Sequence, residues 1–240
     1  MSFRERFIFN FIQDARWRFI LIGLQNTLTI TFFALIFGAF LGFFVALARV
    51  VHDTAIRPGE KLTPRAAVIK ALNWVAKGYL TVIRGTPTVV QLMIIYYVVF
   101  ASVNVDRIVA AVIAFGINSG AYAAEVFRSG MMSIDKGQME AGRSLGLSYA
   151  QTVRRIILPQ AVKNVLPALG NEMITLLKET SIAGYIAVQD LTRGGDIIRS
   201  RTYDAFFPLI TVALIYLTLV LFLQALVGRL ERRLAKSDRR

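Results

Sequence analysis

The sequence lacks cysteine entirely and has one histidine, His52, in 240 residues. Without cysteine, the chain can form no disulfide and can offer neither a catalytic thiol nor a Cys-based metal site. His52 has no evident partner, so we expect a loop residue and no metal centre. The segment G-x-x-x-x-G-K-[ST] is also missing, so the chain cannot hold nucleotide in a P-loop.

Long uncharged apolar runs are abundant instead. Hydrophobic residues make up 55% of the chain and the mean hydropathy is +0.56, above the roughly 45–50% apolar content of soluble domains. A bilayer core takes roughly 20 helical residues. A buried soluble helix could explain one such run but not four, and the sequence therefore predicts a polytopic helical membrane protein. The runs are Phe19–Ala48, Gly85–Val105, Ala205–Gly228 and the nearly sufficient Ile108–Ala124.

The net charge of +13 lies mostly between the apolar runs. This arrangement is typical of cytoplasmic connections that face membrane lipid, and it argues against a nucleic-acid partner. The basic clusters at 49–84, at 128–163 and in the C-terminal tail predict an outside N-terminus and a cytoplasmic C-terminus, although the arginines before residue 19 mildly oppose this.

We expect an all-α fold in one transmembrane domain, residues 1–240, with about five spans and cytoplasmic coupling helices in the 128–163 loop. An amphipathic interfacial helix over residues 1–18 leads into the first span. In that span, Gly38 and Gly42 form a small-x-x-x-small pair that is common at close helix contacts. The predicted spans are 19–47, 86–103, 108–127, 164–188 and 205–227.

A polar segment in the middle of the chain, "MEAGRSLGLSYAQTVRRIILPQ", carries a spaced motif. It resembles E-A-A-x3-G-x9-I-x-L-P, the cytoplasmic-loop signature of the membrane subunits of ABC importers, with Gly142 in place of the usual alanine. The matching residues are Glu140, Ala141, Gly142, Gly146, Ile156, Leu158 and Pro159.

The resemblance extends from about Thr27 to Val188 and includes "RGTPTVVQL", "NSGAYAAEVFRSGM" and "LPALGNEMITLLKETSIA". These stretches look like the polar-amino-acid branch of type I ABC importer permeases, the histidine/glutamine/arginine type. The resemblance implies a bacterial inner-membrane permease for a polar or charged L-amino acid. It also implies a second permease chain, identical or related, two ATPase subunits that bind ATP and magnesium, and an extracytoplasmic amino-acid-binding protein. This chain itself would bind no cofactor and would not be an enzyme.

The residues of the motif support that interpretation. A short helix that breaks at Gly146 and resumes as a second helix would form a compact cytoplasmic contact surface, with Glu140 as a charged anchor. We expect Ala141 and Gly142 to permit close approach, and Pro159 to end the second helix. The alternative is an ordinary amphipathic connector.

Polar residues at membrane depth suggest a substrate path, because such groups usually face a bundle interior or an aqueous cavity. Four of them have a structural alternative. Glu125 could pair with Arg128 at the cytoplasmic end, Asn118 and Tyr122 could form interhelical hydrogen bonds, and Glu172 could link its span to a neighbouring helix. The candidates are Gln91, Asn118, Ser119, Tyr122, Glu125 and Glu172.

Two other function classes compete with an importer permease. A channel or secondary transporter would need a buried proton relay or ion filter and no cytoplasmic coupling loop, and a membrane scaffold would need neither. Co-purification of a P-loop ATPase discriminates among them.

Overall fold

The computed structural model describes residues 2–56 and 63–237, and every regular element in those ranges is helical, as predicted. We number the α-helices in chain order. They are α1 Phe3–Phe7, α2 Trp17–Ala55, α3 Pro64–Gly85, α4 Thr88–Ile94, α5 Arg107–Met132, α6 Lys136–Ser144, α7 Tyr149–Thr152, α8 Leu158–Glu179, α9 Leu191–Thr202 and α10 Phe206–Ser237. Short π-helical segments (Ile8–Ile12, Ile95–Val99, Val153–Ile157) and 3₁₀ turns (Gln13–Ala15, Thr180–Ile186) join some of them.

Helices α2 and α5 pack side by side along a seam of small residues. A Cβ built on Gly38 would lie 3.0 Å from the carbonyl oxygen of Gly116, and one built on Gly42 would lie 2.8 Å from that of Gly120. The later glycine of α2 meets the later residue of α5, so the two helices run parallel. Only glycine permits the backbones to come this close.

Helices α3 and α4 together run antiparallel to α5. Leu80 of α3 belongs to a buried cluster with Ala121 and Ala124, whereas Leu92 of α4 packs in the cluster that contains Ala111 and Phe115. Between the two helices, Thr86 is extended (φ −125°, ψ 150°) and Pro87 precedes the first turn of α4. The residue before a proline is disfavoured in the helical region, which explains the break.

The second pass therefore begins at Pro64 rather than at Thr86, which corrects the sequence prediction. Helix α3 is long and apolar enough to cross a membrane, whereas the apolar segment Thr88–Val99 is short. A count of charges along the chain predicts a basic connection over residues 49–84, because such a count does not show on which face of a helix each charge lies. From Lys70 onward, the charged, amide and hydroxyl side chains of α3 apart from Tyr79 recur every three or four positions and so share one face. They are Lys70, Asn73, Lys77, Thr81 and Arg84.

Helix α8 runs antiparallel to α5, since Gly130 near the end of α5 contacts Val165, and the earlier Ser119 hydrogen-bonds to the later Glu172. The expected span 164–188 begins earlier than predicted, at Leu158. Pro159 lies in the first turn of α8, where its missing N–H costs little, and therefore does not end the preceding helix as we had expected.

Helix α10 completes the bundle and runs in the direction of α2. Its first turns join a buried cluster with Ile20 of α2 and Leu191 of α9, and its later residue Val227 contacts Gly170 of α8. The passes α2, α3–α4, α5, α8 and α10 therefore alternate in direction, and the parallel packing of α2 beside α5, the first and third passes, agrees with this. Four described helices meet a length and composition criterion for membrane crossing, namely α2, α3, α5 and α10.

The N-terminal segment is not the single interfacial helix that the sequence suggested. It is broken at Asp14 and Ala15, whose φ angles are 56° and 50°. Arg6 forms an ion pair of 3.0 Å with Asp204, which lies between α9 and α10, and the amide of Asn10 donates to the same carboxylate at 2.9 Å. These contacts fasten the segment to the start of the last pass.

Candidate coupling loop and substrate path

Helix α6 ends in a glycine-dependent turn. The Gly146 N–H donates to the Arg143 carbonyl (3.0 Å) and the Leu147 N–H donates to the Gly142 carbonyl (3.1 Å), which is the hydrogen-bond pattern of a Schellman motif. Gly146 has φ +83°, in the region that favours glycine. The sequence predicted a bend between two helices at Gly146, and the structure has it.

The next helix begins immediately with its own cap. The Ser148 hydroxyl accepts a hydrogen bond from the Gln151 N–H (3.3 Å), and the Gln151 side chain accepts one from the Ser148 N–H (2.8 Å). This reciprocal capping box starts α7. Through the π-helical Val153–Ile157 segment, α7 continues into α8. The helix that carries the motif is therefore joined directly to a pass of the bundle.

The two short helices meet at Gly142. A Cβ at this position would lie 2.5 Å from Cγ2 of Thr152, and both residues are buried. The absence of a side chain at Gly142 thus allows the close packing that the sequence suggested. Ala141, by contrast, is exposed and is not part of that contact. Of the remaining motif residues, Ile156 is half-buried, whereas Glu140, Leu158 and Pro159 are exposed.

The outer surface of the loop carries apolar side chains that sequence reasoning missed. Leu145 is 81% exposed and Tyr149 is 62% exposed, on either side of the Gly146 turn. We call these two residues and Glu140, which is exposed as well, the loop tip. Both apolar side chains are accessible to solvent on this loop. The signal in the sequence was the apolar pair within "SLGLSY".

Among the substrate-path candidates, Gln91 and Asn118 form a buried amide link between α4 and α5. The Asn118 side chain donates to Gln91 Oε1 at 2.9 Å, and Gln91 Nε2 lies 2.7 Å from the Ile83 carbonyl oxygen and 2.8 Å from the Thr86 hydroxyl. Gln91 thereby satisfies backbone groups that lose helical partners at the Pro87 break. The bond between them joins α5 to α4, which fits the structural alternative stated for Asn118.

Ser119 and Glu172 form a second interhelical link. The Ser119 hydroxyl donates to Glu172 Oε1 at 3.0 Å, which joins α5 to α8. Ser119 is fully buried and Glu172 is half-buried. This geometry also fits the structural alternative for Glu172.

Glu125 lies in a different environment, between two cavities. Its carboxylate pairs with Arg128 at 3.1 Å, one turn later on α5, and with Arg84 of α3 at 3.6 Å. The Arg84 guanidinium also lies 5.8 Å from the ring centre of Tyr122. A cavity of about 480 Å³ borders Glu125 on the side of α3, and one of about 430 Å³ borders it on the side of α8.

The candidates therefore separate into two groups. Gln91, Asn118, Ser119 and Glu172 link helices, whereas Tyr122 and Glu125 face open space. The sequence did not place Arg49, Lys77 and Arg84 beside Glu125. The signal that could have shown this for α3 is the polar face of that helix.

The fold and these sites define a helical membrane protein with an exposed helix–turn–helix loop, α6 to α7, that leads directly into α8. A family model described as "Binding-protein-dependent transport system inner membrane component" matches residues 66–236, and the chain belongs to this family. The chain is thus the membrane component of a transport system and not an enzyme, as the motif predicted.

Known proteins of this kind are similar over nearly their whole length. The arginine transport system permease protein ArtQ of Bacillus subtilis is 39% identical over 222 residues, which cover 92% of this chain and 94% of ArtQ. The L-cystine transport system permease protein TcyB of the same organism is 38% identical, with 93% and 89% covered. A solved structure of an amino acid ABC transporter with histidines superposes with a TM-score of 0.79 at 41% identity, covering 93% of this chain and 98% of that one.

Proposed function

We propose that this chain is the transmembrane permease subunit of an ATP-driven importer that carries a polar or charged L-amino acid across the bacterial cytoplasmic membrane. The observation that carries the proposal is the loop of α6 and α7, whose turn at Gly146 presents Leu145 and Tyr149 to a partner. The names of the similar permeases, which concern arginine and cystine, support an amino acid as the substrate.

The energy would come from a separate ATPase. The chain has no P-loop, so ATP and magnesium would be bound by a partner subunit. Two copies of that subunit would be present, and one of them would dock on the loop tip of this chain. Because α7 continues into α8, movement of the docked loop would be transmitted to a pass that carries Glu172. Different ATPase states would then favour different arrangements of the bundle.

The path would be completed by a second permease chain, identical or related, and supplied by an extracytoplasmic amino-acid-binding protein. Glu125, which lines two cavities, and Tyr122, which is partly exposed one turn earlier, are the strongest candidates for contact with the substrate. Gln91, Asn118, Ser119 and Glu172 would set the positions of the helices around it.

The decisive experiment is reconstitution of this chain with and without its ATPase and binding protein. ATP-driven uptake of a labelled amino acid should require all components, and the purified chain alone should hydrolyse no ATP. Hydrolysis by the chain alone, or uptake without the ATPase, would return the assignment to a channel or secondary transporter.

We also propose an outside N-terminus and a cytoplasmic C-terminus. The alternation of passes puts the start of α2 and the end of α10 at opposite ends of the bundle, and the basic tail favours the inside. Because the chain lacks cysteine, cysteines introduced at Ser2 and Ser237 can be labelled selectively with an impermeant reagent. Labelling of both from the same side would refute this topology.

A further inference from the structure

The cavity of about 480 Å³ between α2, α3 and α5 has an unbalanced set of charges. We call it the cationic vestibule and define it by its charged lining residues, Arg49, Lys77, Arg84 and Glu125. Three side chains are positive and one is negative. The single carboxylate is shared, since Glu125 also pairs with Arg128 from outside this cavity.

Two of the cations have no anionic partner among the described residues. Neither Arg49 nor Lys77 forms an ion pair within residues 2–56 and 63–237, and the Nε of Arg49 is buried without a hydrogen-bond acceptor there. Arg84, in contrast, is held by Glu125 at 3.6 Å. The cavity therefore presents excess positive charge to whatever enters it.

A carboxylate is the group that this lining fits. Guanidinium groups bind carboxylates through paired N–H donors, and ammonium groups bind them as point charges. A cleft lined mainly by charges of one sign also raises the local concentration of ligands of the opposite sign. An acidic amino acid carries a net negative charge and is attracted through both of its carboxylates. A neutral amino acid is attracted through its one carboxylate and repelled through its ammonium group. A cationic amino acid is repelled overall.

We propose that the cationic vestibule is a carboxylate-binding site on the transport path, and that it makes acidic amino acids the preferred substrates of this permease over cationic ones. The proposal rests on the function proposed above and adds the substrate class. Arg49 and Lys77 supply the preference, because Arg84 is already engaged by Glu125.

The test is equilibrium binding of labelled L-glutamate, L-glutamine and L-arginine to the purified permease–ATPase complex without the binding protein, so that only the path is measured. We expect glutamate to bind about tenfold more tightly than arginine, with glutamine between them. Lys77→Gln and Arg49→Gln should each reduce this ratio several-fold, and Lys77→Glu, which leaves two positive and two negative lining side chains, should abolish the preference. Raising the salt concentration should also reduce it, because exposed charges are screened.

Lys70→Gln is the matched control. Lys70 is an exposed lysine on the same polar face of α3, two turns earlier, and does not line the vestibule. This change should leave the ratio unaltered. Retention of the ATPase by every variant checks that the complex still assembles.

Stronger binding of arginine than of glutamate, or an unchanged ratio in both Lys77→Gln and Arg49→Gln, would overturn the proposal. Binding of inorganic phosphate, or of anionic lipid in nanodiscs, without any binding of glutamate would show that the vestibule is a phosphate site of another purpose. That result would overturn the proposal too. ATP-driven uptake of an amino acid in the complete system would then still uphold the proposed function, whereas absence of uptake for every amino acid would refute that function itself.

Discussion

The coupling loop and the α2–α5 seam differ in the distance along the chain over which their contacts form. In the loop, the hydrogen bonds that set the turn join residues no more than five positions apart, such as Leu147 to Gly142. In the seam, Gly38 and Gly42 meet residues of a helix that begins only at Arg107. The loop is therefore shaped locally and exposed, and the seam exists only in the folded bundle. Changes in the seam should damage folding, and changes in the loop should damage coupling.

The largest effect should come from a side chain placed in the seam. In Gly42→Leu the new Cβ would lie 2.8 Å from the Gly120 carbonyl oxygen, and backbone cannot move aside cheaply. We expect loss of folded, monodisperse protein in size-exclusion chromatography. Gly78→Leu is the control, because no atom lies within 4 Å of a Cβ at Gly78. Similar yields of both variants would contradict the seam's role.

A smaller loss of stability should follow Gln91→Leu. The substitution removes the donor that satisfies the Ile83 carbonyl and the acceptor for Asn118, and each buried group left unpaired costs about 1–3 kcal/mol. Thermal unfolding in detergent should show a clearly lowered midpoint. Val90→Leu, at the exposed neighbouring position, should not change the midpoint. An unchanged midpoint in Gln91→Leu would mean that water replaces the link.

Gly146→Val in the loop should leave folding intact and reduce coupling to the ATPase, in contrast to the substitutions in the bundle. A β-branched residue at φ +83° is strained by about 1–3 kcal/mol, although open space surrounds the position. We expect normal insertion and yield, weak retention of the ATPase and poor uptake. Gly146→Asn should keep much of both activities, because asparagine tolerates the left-handed region. Equal behaviour of the two variants would exclude backbone conformation as the cause.

Charge at the loop tip should affect coupling with no measurable effect on stability. Leu145→Asp replaces a side chain that is 81% exposed with a carboxylate, so folding should be unaffected. The proposed apolar contact with the ATPase should be lost. Co-purification of the ATPase measures this. The control is Tyr203→Asn, which replaces an exposed aromatic side chain between α9 and α10, outside the loop tip. It should leave co-purification of the ATPase unchanged. Undiminished co-purification with Leu145→Asp would remove Leu145 from the interface.

The smallest effect should come from the contact of the N-terminal segment with Asp204. Partial burial tends to raise the pKa of Asp204, but hydrogen bonds from Asn10 and Arg6 outweigh it and hold the pKa below its usual value. A carboxylate with a lowered folded-state pKa stabilises the fold above its unfolded pKa, and this contribution is lost as the pH falls through the folded value.

Asp204→Asn should therefore lower the unfolding midpoint slightly at neutral pH, by an amount typical of a partly exposed ion pair, about 0–1 kcal/mol. The difference from the unsubstituted protein should begin to shrink below the unfolded pKa, about pH 4, and should vanish once the pH has fallen below the lowered folded-state pKa. A difference that persists there would show that the side-chain shape, and not its charge, matters.

The elements that the sequence predicted well are those fixed by neighbouring residues or by apolar runs. The bend at Gly146 followed from the motif spacing, and the long helices α2 and α10 followed from uncharged stretches. The start of the second pass was misplaced because the charges of α3 lie on one face, which a count along the chain cannot reveal. Pro159 was misjudged for a related reason, since proline is equally acceptable in the first turn of a new helix.

The sequence by itself determined that this is a polytopic helical membrane protein whose central loop bends at Gly146, because hydropathy, helix capping and glycine conformation act over a few neighbouring residues. Only the tertiary structure decided which polar residues link helices and which face open space. Asn118 and Glu125 are separated by two helical turns of α5. The Asn118 side chain nevertheless hydrogen-bonds to Gln91, whereas Glu125 pairs with Arg84 beside a cavity. Those partners lie on another pass, and their positions depend on how the whole bundle packs.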